Sequence, residues 1–340
     1  MTYKIAINGF GRIGRNFLKV AFEKKEIDIV AINDLTDEET LAYLLKHDSI
    51  YGRFDKKVKA LSKGGKNYLV IGDKEILSLS ERDPNNLPWK ELGVDVVVES
   101  TGVFTKKEDA SEHLKAGAKR VVITAPAKGD VNHLLPGVSD EKFDEKSSDK
   151  ISSDGSCTTN AVAPVMKILS ETIGVKKAVL NTIHAYTAGQ NIVDGTNKKM
   201  SRGRAAAINI VPTTTGAALV TSKVVPSLKD KFDGIATRVP VACGSLADIT
   251  FVSEKQTSKE EINKIFKRAQ KEERWKGILK TTEEPIVSSD VIRDSYASTV
   301  DLSFTKVIDG DLVKILAWYD NEWGYCVSLL EHVLRVSKHL

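Results

Sequence analysis

"YKIAINGFGRIGRNFLKVAFEKKEIDIVAIND" (residues 3–34) decides the first half of the fold. It opens on a short apolar run at 3–7 and closes on a second at 27–34. Between them Ile13, Phe17, Leu18, Ala21 and Phe22 recur at roughly helical spacing. Strand, helix and strand in about 30 residues predict a βαβ unit, and so a parallel sheet with a right-handed crossover. The turn reads Gly9-Phe10-Gly11-Arg12-Ile13-Gly14, the pattern GxGxxG. Glycines suit it because the turn is tight and a pyrophosphate must approach the backbone, while the helix N-terminus supplies N–H donors and partial positive charge. Asp34 closes the second strand, where a carboxylate accepts from ribose hydroxyls and repels a 2′-phosphate. Dinucleotide binding, with NAD favoured over NADP, is therefore expected. The competing reading of the loop is a purely structural turn.

Further strands are expected at 94–100 and 120–124, separated by a helix near 106–118, with a hairpin inserted at 67–83. The second half has another rhythm. Residues 177–187, 234–243 and 246–254 are β-rich and lack long intervening helices, and 298–320 reads as a hairpin around Asp309-Gly310. Ser258 with Glu261 three residues on marks a helix start, and a last helix covers 324–340. The expected fold class is α/β: an N-terminal Rossmann-type parallel sheet domain, then an α+β catalytic domain with a largely antiparallel sheet. The boundaries expected are 1–156, joined by the C-terminal helix 322–340, and 157–321.

At 340 residues the chain exceeds the size at which one core stops growing. Its 50 basic and 46 acidic residues nearly balance, unlike the basic stripe of a dedicated nucleic-acid binder. The N-terminus lacks a signal-peptide pattern and no apolar run reaches a membrane span of about 18 residues, so a cytoplasmic protein is expected. Three cysteines, without CxxC or His-paired spacing, argue against a disulfide framework or a metal site.

Cys157 stands in "DGSCTTNAV" (154–162), between a strand and a helix whose stripe is Val162, Val165, Met166 and Leu169. A helix N-terminus stabilises a thiolate and can hold an oxyanion, which suits a nucleophile. A small buried filler is the competing reading. Among six histidines, His184 at a strand end beside hydroxyls is the candidate base. His47, His113, His133, His332 and His339 lie in charged or terminal stretches and are expected to face solvent.

NGFGRIGR (8–15), SCTTN (156–160), HAYT (184–187), PTTTGAA (212–218) and YDNEWGY (319–325) follow in that order. With them the chain resembles the phosphorylating glyceraldehyde-3-phosphate dehydrogenases of bacterial and eukaryotic type, from residue 3 to about 335. The resemblance implies that Cys157 attacks the aldehyde with His184 as base. A thiohemiacetal then loses hydride to NAD, and inorganic phosphate releases the thioester as an acyl phosphate. It implies further that Thr187, Arg202 and Arg238 take up the substrate phosphate, while Ser156, Thr158, Thr215 and Gly216 surround the incoming one. For the cofactor it implies the glycine loop with backbone groups of Arg12 and Ile13, Asp34 on the adenosine ribose, Arg82 and Thr124 toward the adenine and nicotinamide ends, and Asn321 on the carboxamide. The segment from Thr187 to Val211 packs across subunits in that family, so a homotetramer is implied.

Departures from the family pattern are Ala161 in place of a common second cysteine, Gly195-Thr196 in place of Leu-Pro, and Ser201 in place of arginine. Gly195-Thr196 leaves NADP use open, whereas Leu35 points to NAD. Two alternatives stand beside this reading: an erythrose-4-phosphate dehydrogenase, and a non-catalytic NAD-binding regulatory protein.

Overall fold

A computed structural model describes residues 1–144 and 149–340. The chain forms two compact units. The first comprises 1–134, 140–155 and 329–340; the second comprises 135–139 and 156–328.

In the first unit the strand Tyr3–Asn8 pairs in parallel with Ile27–Asn33 on one side and Val96–Glu99 on the other. The helix Arg12–Ala21 connects the first two, burying Phe17, Leu18 and Ala21. Arg120–Ile123, Ile151–Ser153 and Asn132–His133 extend the parallel sheet one way. On the other flank Lys74–Leu79 joins in parallel, and two antiparallel strands, Lys66–Ile71 and Val58–Lys63, complete nine. Central strands such as Val96–Glu99 are buried along their whole length, as a sheet covered on both faces requires.

In the second unit seven strands run in the order 211–214, 232–239, 175–185, 245–253, 312–319, 298–308 and 279–282. Four of the six pairings are antiparallel: 175–185 with 245–253, 211–214 with 232–239, 245–253 with 312–319, and 298–308 with 312–319. The other two, 175–185 with 232–239 and 279–282 with 298–308, are parallel. Ser245–Ser253 alternates buried and partly exposed residues along its length, so one face meets the core. The helix Cys157–Thr172 packs Val162, Val165, Met166 and Leu169 into a cluster with Ile249, Phe251, Val313 and Ile315. The parallel register of 175–185 with 232–239 sets His184 opposite Arg238.

Three of the histidines expected at the surface are buried. His113 and His332 are 0% exposed and His133 is 4% exposed. Charged neighbours in sequence hide partners brought by distant segments. His113 meets Trp89 and Glu99, His332 meets Ser152 and Asp154, and the Nε2 of His133 accepts from the Ala127 N–H. His47 and His339 are partly exposed.

Candidate active site

Two local structures carry the predicted residues, one in each unit. In the first, Gly9 has φ of +90°, and a Cβ there would lie 2.6 Å from the Thr101 nitrogen. A Cβ on Gly14 would lie 2.2 Å from the Gly9 carbonyl oxygen, so the helix can approach the strand this closely only with glycine. Gly11 is the helix N-cap, supplies no side chain to it, and has nothing within 4 Å of an added Cβ. The space over the loop is therefore open where a pyrophosphate needs backbone donors. Asp34 accepts from the Phe10 N–H at 2.7 Å and from the Thr36 N–H at 3.0 Å, which holds its carboxylate at the strand end. Open loop, helix start and fixed carboxylate fit a dinucleotide.

The side chain of Arg12 turns to Asp48, 2.9 Å from its carboxylate. Lys19 binds the same carboxylate at 2.8 Å. Burial opposes the charge on Asp48, but the hydrogen-bonded Lys19, the Ile50 N–H and Arg12 together outweigh it and hold the carboxyl far below its usual range. Thr124 is partly exposed, with its N–H bonded to the Glu99 carbonyl; Arg82 is exposed.

In the second unit Cys157 is the first residue of its helix. Ser156 caps that helix in a reciprocal box, its hydroxyl accepting from the Thr159 N–H. Cys157 Sγ lies 3.3 Å from His184 Nε2. Nδ1 of His184 lies 2.7 Å from the Ala185 carbonyl oxygen. Arg238 Nη1 lies 2.7 Å from the same Nδ1. With Nδ1–H on the carbonyl, the Nε2 lone pair faces the sulfur as a base; with Nδ1 accepting from Arg238, an Nε2–H faces a thiolate. Arg238 donates to the same carbonyl at 2.7 Å. Burial drives the imidazole down to about 3, and the Arg238 charge adds to this against the Ala185 bond. Burial also pushes the thiol up, opposed by Arg238 and by N–H groups at the helix start. Transferring the proton from Sγ to Nε2 creates opposite charges in contact, which costs less than charging either group alone.

Around this pair the hydroxyls are already placed. Tyr319 stands edge-on to the His184 ring, with its hydroxyl 2.9 Å from Thr158 Oγ1 and 2.7 Å from Thr182 Oγ1. Arg238 Nε is buried without a hydrogen-bond partner, a cation suited to an anion.

Two family models match the chain. One is described as glyceraldehyde 3-phosphate dehydrogenase, NAD binding domain, over residues 3–107, and the other as the C-terminal domain of the same enzyme over 156–321. Glyceraldehyde-3-phosphate dehydrogenase from Streptomyces coelicolor is 48% identical over 100% of both chains. That from Geobacillus stearothermophilus is 50% identical over 96% of this chain and 95% of its own, and that from Mycobacterium avium is 49% identical over 100% of both.

The chain belongs to the glyceraldehyde-3-phosphate dehydrogenase family.

Further placements bear on a glyceraldehyde-3-phosphate dehydrogenase. Arg202 donates to Thr213 Oγ1 at 2.9 Å and to the Thr214 carbonyl at 3.2 Å, and its charge reaches His184. Thr215 and Gly216 stand where the next helix, Ala217–Val224, begins, and Thr187 is exposed. Thr158 is buried with its hydroxyl on Tyr319, and its N–H and hydroxyl both favour the Cys157 thiolate. Asn321 is buried, and its Oδ1 accepts from the Ser245 hydroxyl at 2.8 Å. Sequence reasoning passed over Tyr319 and Ser245. Tyr319 lay inside a quoted motif; Ser245 had no local signal, since its partners Ala185 and Asn321 are far away in the chain.

Proposed function

We propose that this chain oxidises D-glyceraldehyde 3-phosphate with NAD and inorganic phosphate to 1,3-bisphosphoglycerate, the phosphorylating oxidation of glycolysis. The observation that carries the reading is the 3.3 Å approach of Cys157 Sγ to His184 Nε2 at a helix N-terminus. As Sγ bonds to the aldehyde carbon, its proton passes to Nε2, which then protonates the carbonyl oxygen to give a thiohemiacetal. NAD, when bound, supplies the hydride acceptor. His184 takes the hydroxyl proton as hydride leaves, and the carbon remains on Cys157 as a thioester. A phosphate oxygen adds to that carbon, the C–S bond breaks, and Nε2 returns the proton to sulfur.

Arg238, with Arg202 and Thr187, holds the substrate phosphate, and the unpartnered Arg238 Nε supports this role. Ser156, the Thr158 backbone, Thr215 and Gly216 receive the incoming phosphate. The glycine loop (Gly9, Gly11 and Gly14), with Arg12 and Ile13, holds the pyrophosphate and Asp34 the ribose. Arg82 and Thr124 lie along the cofactor, and Asn321 takes the nicotinamide carboxamide.

The working protein is a cytoplasmic homotetramer in this reading. Ile192, Val193, Ile208 and Ile210 expose apolar surface along 187–211, and Val179 and Ile235 expose more on the sheet, which supports burial between subunits. Among the described residues no helix is long and apolar enough to cross a membrane.

The test is NADH formation from glyceraldehyde 3-phosphate with and without phosphate, repeated with NADP and with Cys157→Ser. Turnover is expected to need phosphate and to fall about 10⁴-fold or more in the variant. Phosphate-independent turnover, or an active Cys157→Ser, would refute the reading.

A further inference from the structure

Beneath the glycine loop lies a buried polar network that the proposed chemistry does not use. Glu99 is 2% exposed. Its Oε2 receives Asn8 Nδ2 at 2.6 Å and faces His113 Nε2 at 3.1 Å. Its Oε1 receives the Thr101 N–H at 2.9 Å and the Thr101 hydroxyl. Trp89 Nε1, which can only donate, lies 3.0 Å from His113 Nδ1. That leaves Nδ1 as acceptor and places the imidazole proton on Nε2, directed at Glu99. Every partner of Glu99 is then a donor, the arrangement a carboxylate needs.

The network continues to the cofactor segments. Asn8 Oδ1 accepts from Asn33 Nδ2 at 2.7 Å. The amide of Asn33 grips the Glu81 backbone twice, at 2.8 Å to its carbonyl and 2.8 Å from its N–H. Asn8 directly precedes Gly9, Asn33 precedes Asp34, and Glu81 precedes Arg82. Thr101 is the residue against which a Cβ on Gly9 would collide. One carboxylate thus holds in register the loop, the ribose-facing acid and the segment of Arg82.

We propose that Glu99, seconded by His113 and Asn33, is the positioning centre of the cofactor cradle and sets affinity for the adenosine half of NAD without touching the reacting carbon. The inference rests on NAD binding by this unit. Glu99→Gln keeps the shape but brings an NH₂ group against at least one pair of donors, leaving buried groups unsatisfied.

Titration calorimetry of the full chain with NAD, and separately with ADP-ribose, tests it. In Glu99→Gln both dissociation constants are expected to rise by the same factor, about tenfold to a hundredfold. In the cofactor-free variant, alkylation of Cys157 by iodoacetamide is expected to keep the parent rate. At saturating NAD, kcat is expected to stay within about threefold of the parent while KM for NAD rises. Trp89→Phe, which removes the Nε1 donor to His113 together with part of a fully buried ring, provides a second variant with an expected rise of about threefold to tenfold, and it decides the matter if Glu99→Gln does not fold. Unchanged affinity for both ligands in the folded variants would overturn the proposal, since a merely structural role lowers Tm alone. A parent protein that binds neither ligand would instead overturn the functional reading beneath it.

Discussion

The glycine loop and the thiol site both place a reactive or binding group at the start of a helix, yet they are built from different kinds of information. Gly9, Gly11, Gly14 and Asp34 lie within one βαβ unit, where Gly14 meets the Gly9 carbonyl, although Gly9 itself packs on the distant Thr101 backbone. Cys157, His184 and Arg238 come from a helix start and two parallel strands, and only sheet register brings them together. The binding loop is thus contiguous in sequence though its support is not, whereas the thiol site itself is assembled only by topology. The two regions should fail independently.

The strongest test of that independence is His184→Asn. Losing the base is expected to lower kcat by about 10²- to 10⁴-fold. Without Nε2 to receive the proton, the thiol must ionise against its buried surroundings. The pH at which iodoacetamide alkylates Cys157 should therefore move upward, with NAD affinity unchanged. An unmoved alkylation profile would mean that the 3.3 Å contact carries no proton.

Gly14→Ala probes the other region. The added carbon meets the Gly9 carbonyl at 2.2 Å, so helix and strand must part. A destabilisation of about 2–4 kcal/mol is expected, read as a lower Tm, together with weaker NAD binding. Alkylation of Cys157 should persist. A loss of thiol reactivity would break the comparison by showing that the two regions are coupled.

Tyr319→Phe gives the smallest effect and sharpens the account of the thiol site. It removes two hydrogen bonds and leaves the Thr158 and Thr182 hydroxyls buried without that partner. A stability loss of about 1–2 kcal/mol by chemical denaturation is expected, with a modest fall in kcat as the ring beside His184 loses its two tethers.

Much of the first unit was legible because its signals are contiguous: apolar runs, helical stripe, glycine turn and terminal acid fall in order. The hairpin at 67–83 was also legible, although its return strand, Lys74–Leu79, joins the sheet in parallel, which no local pattern reveals. In the second unit the alternation of Ser245–Ser253 exposed the strand but not its neighbours. Cys157 announced itself through its setting at a helix start. His184 needed a family motif, since a strand histidine is ordinarily structural. His113 and His332 were misread because a charged stretch gives no sign of a buried partner elsewhere in the chain. Arg238 and Arg202 resembled ordinary loop and strand polarity; their meaning comes from what register places beside them.

That register has a consequence for how the molecule can change. His184 and Arg238 occupy partner positions on parallel strands. Substitutions along either strand leave both side chains aimed as they are, because the backbone ladder, not the neighbouring side chains, sets their direction. A single residue inserted between Ala178 and His184 would turn the histidine to the opposite face of the sheet, and a matching insertion in the other strand would be needed to restore the pairing. The placement of His184 beside Arg238 is therefore tolerant of changes in composition along the strands and intolerant of changes in their length.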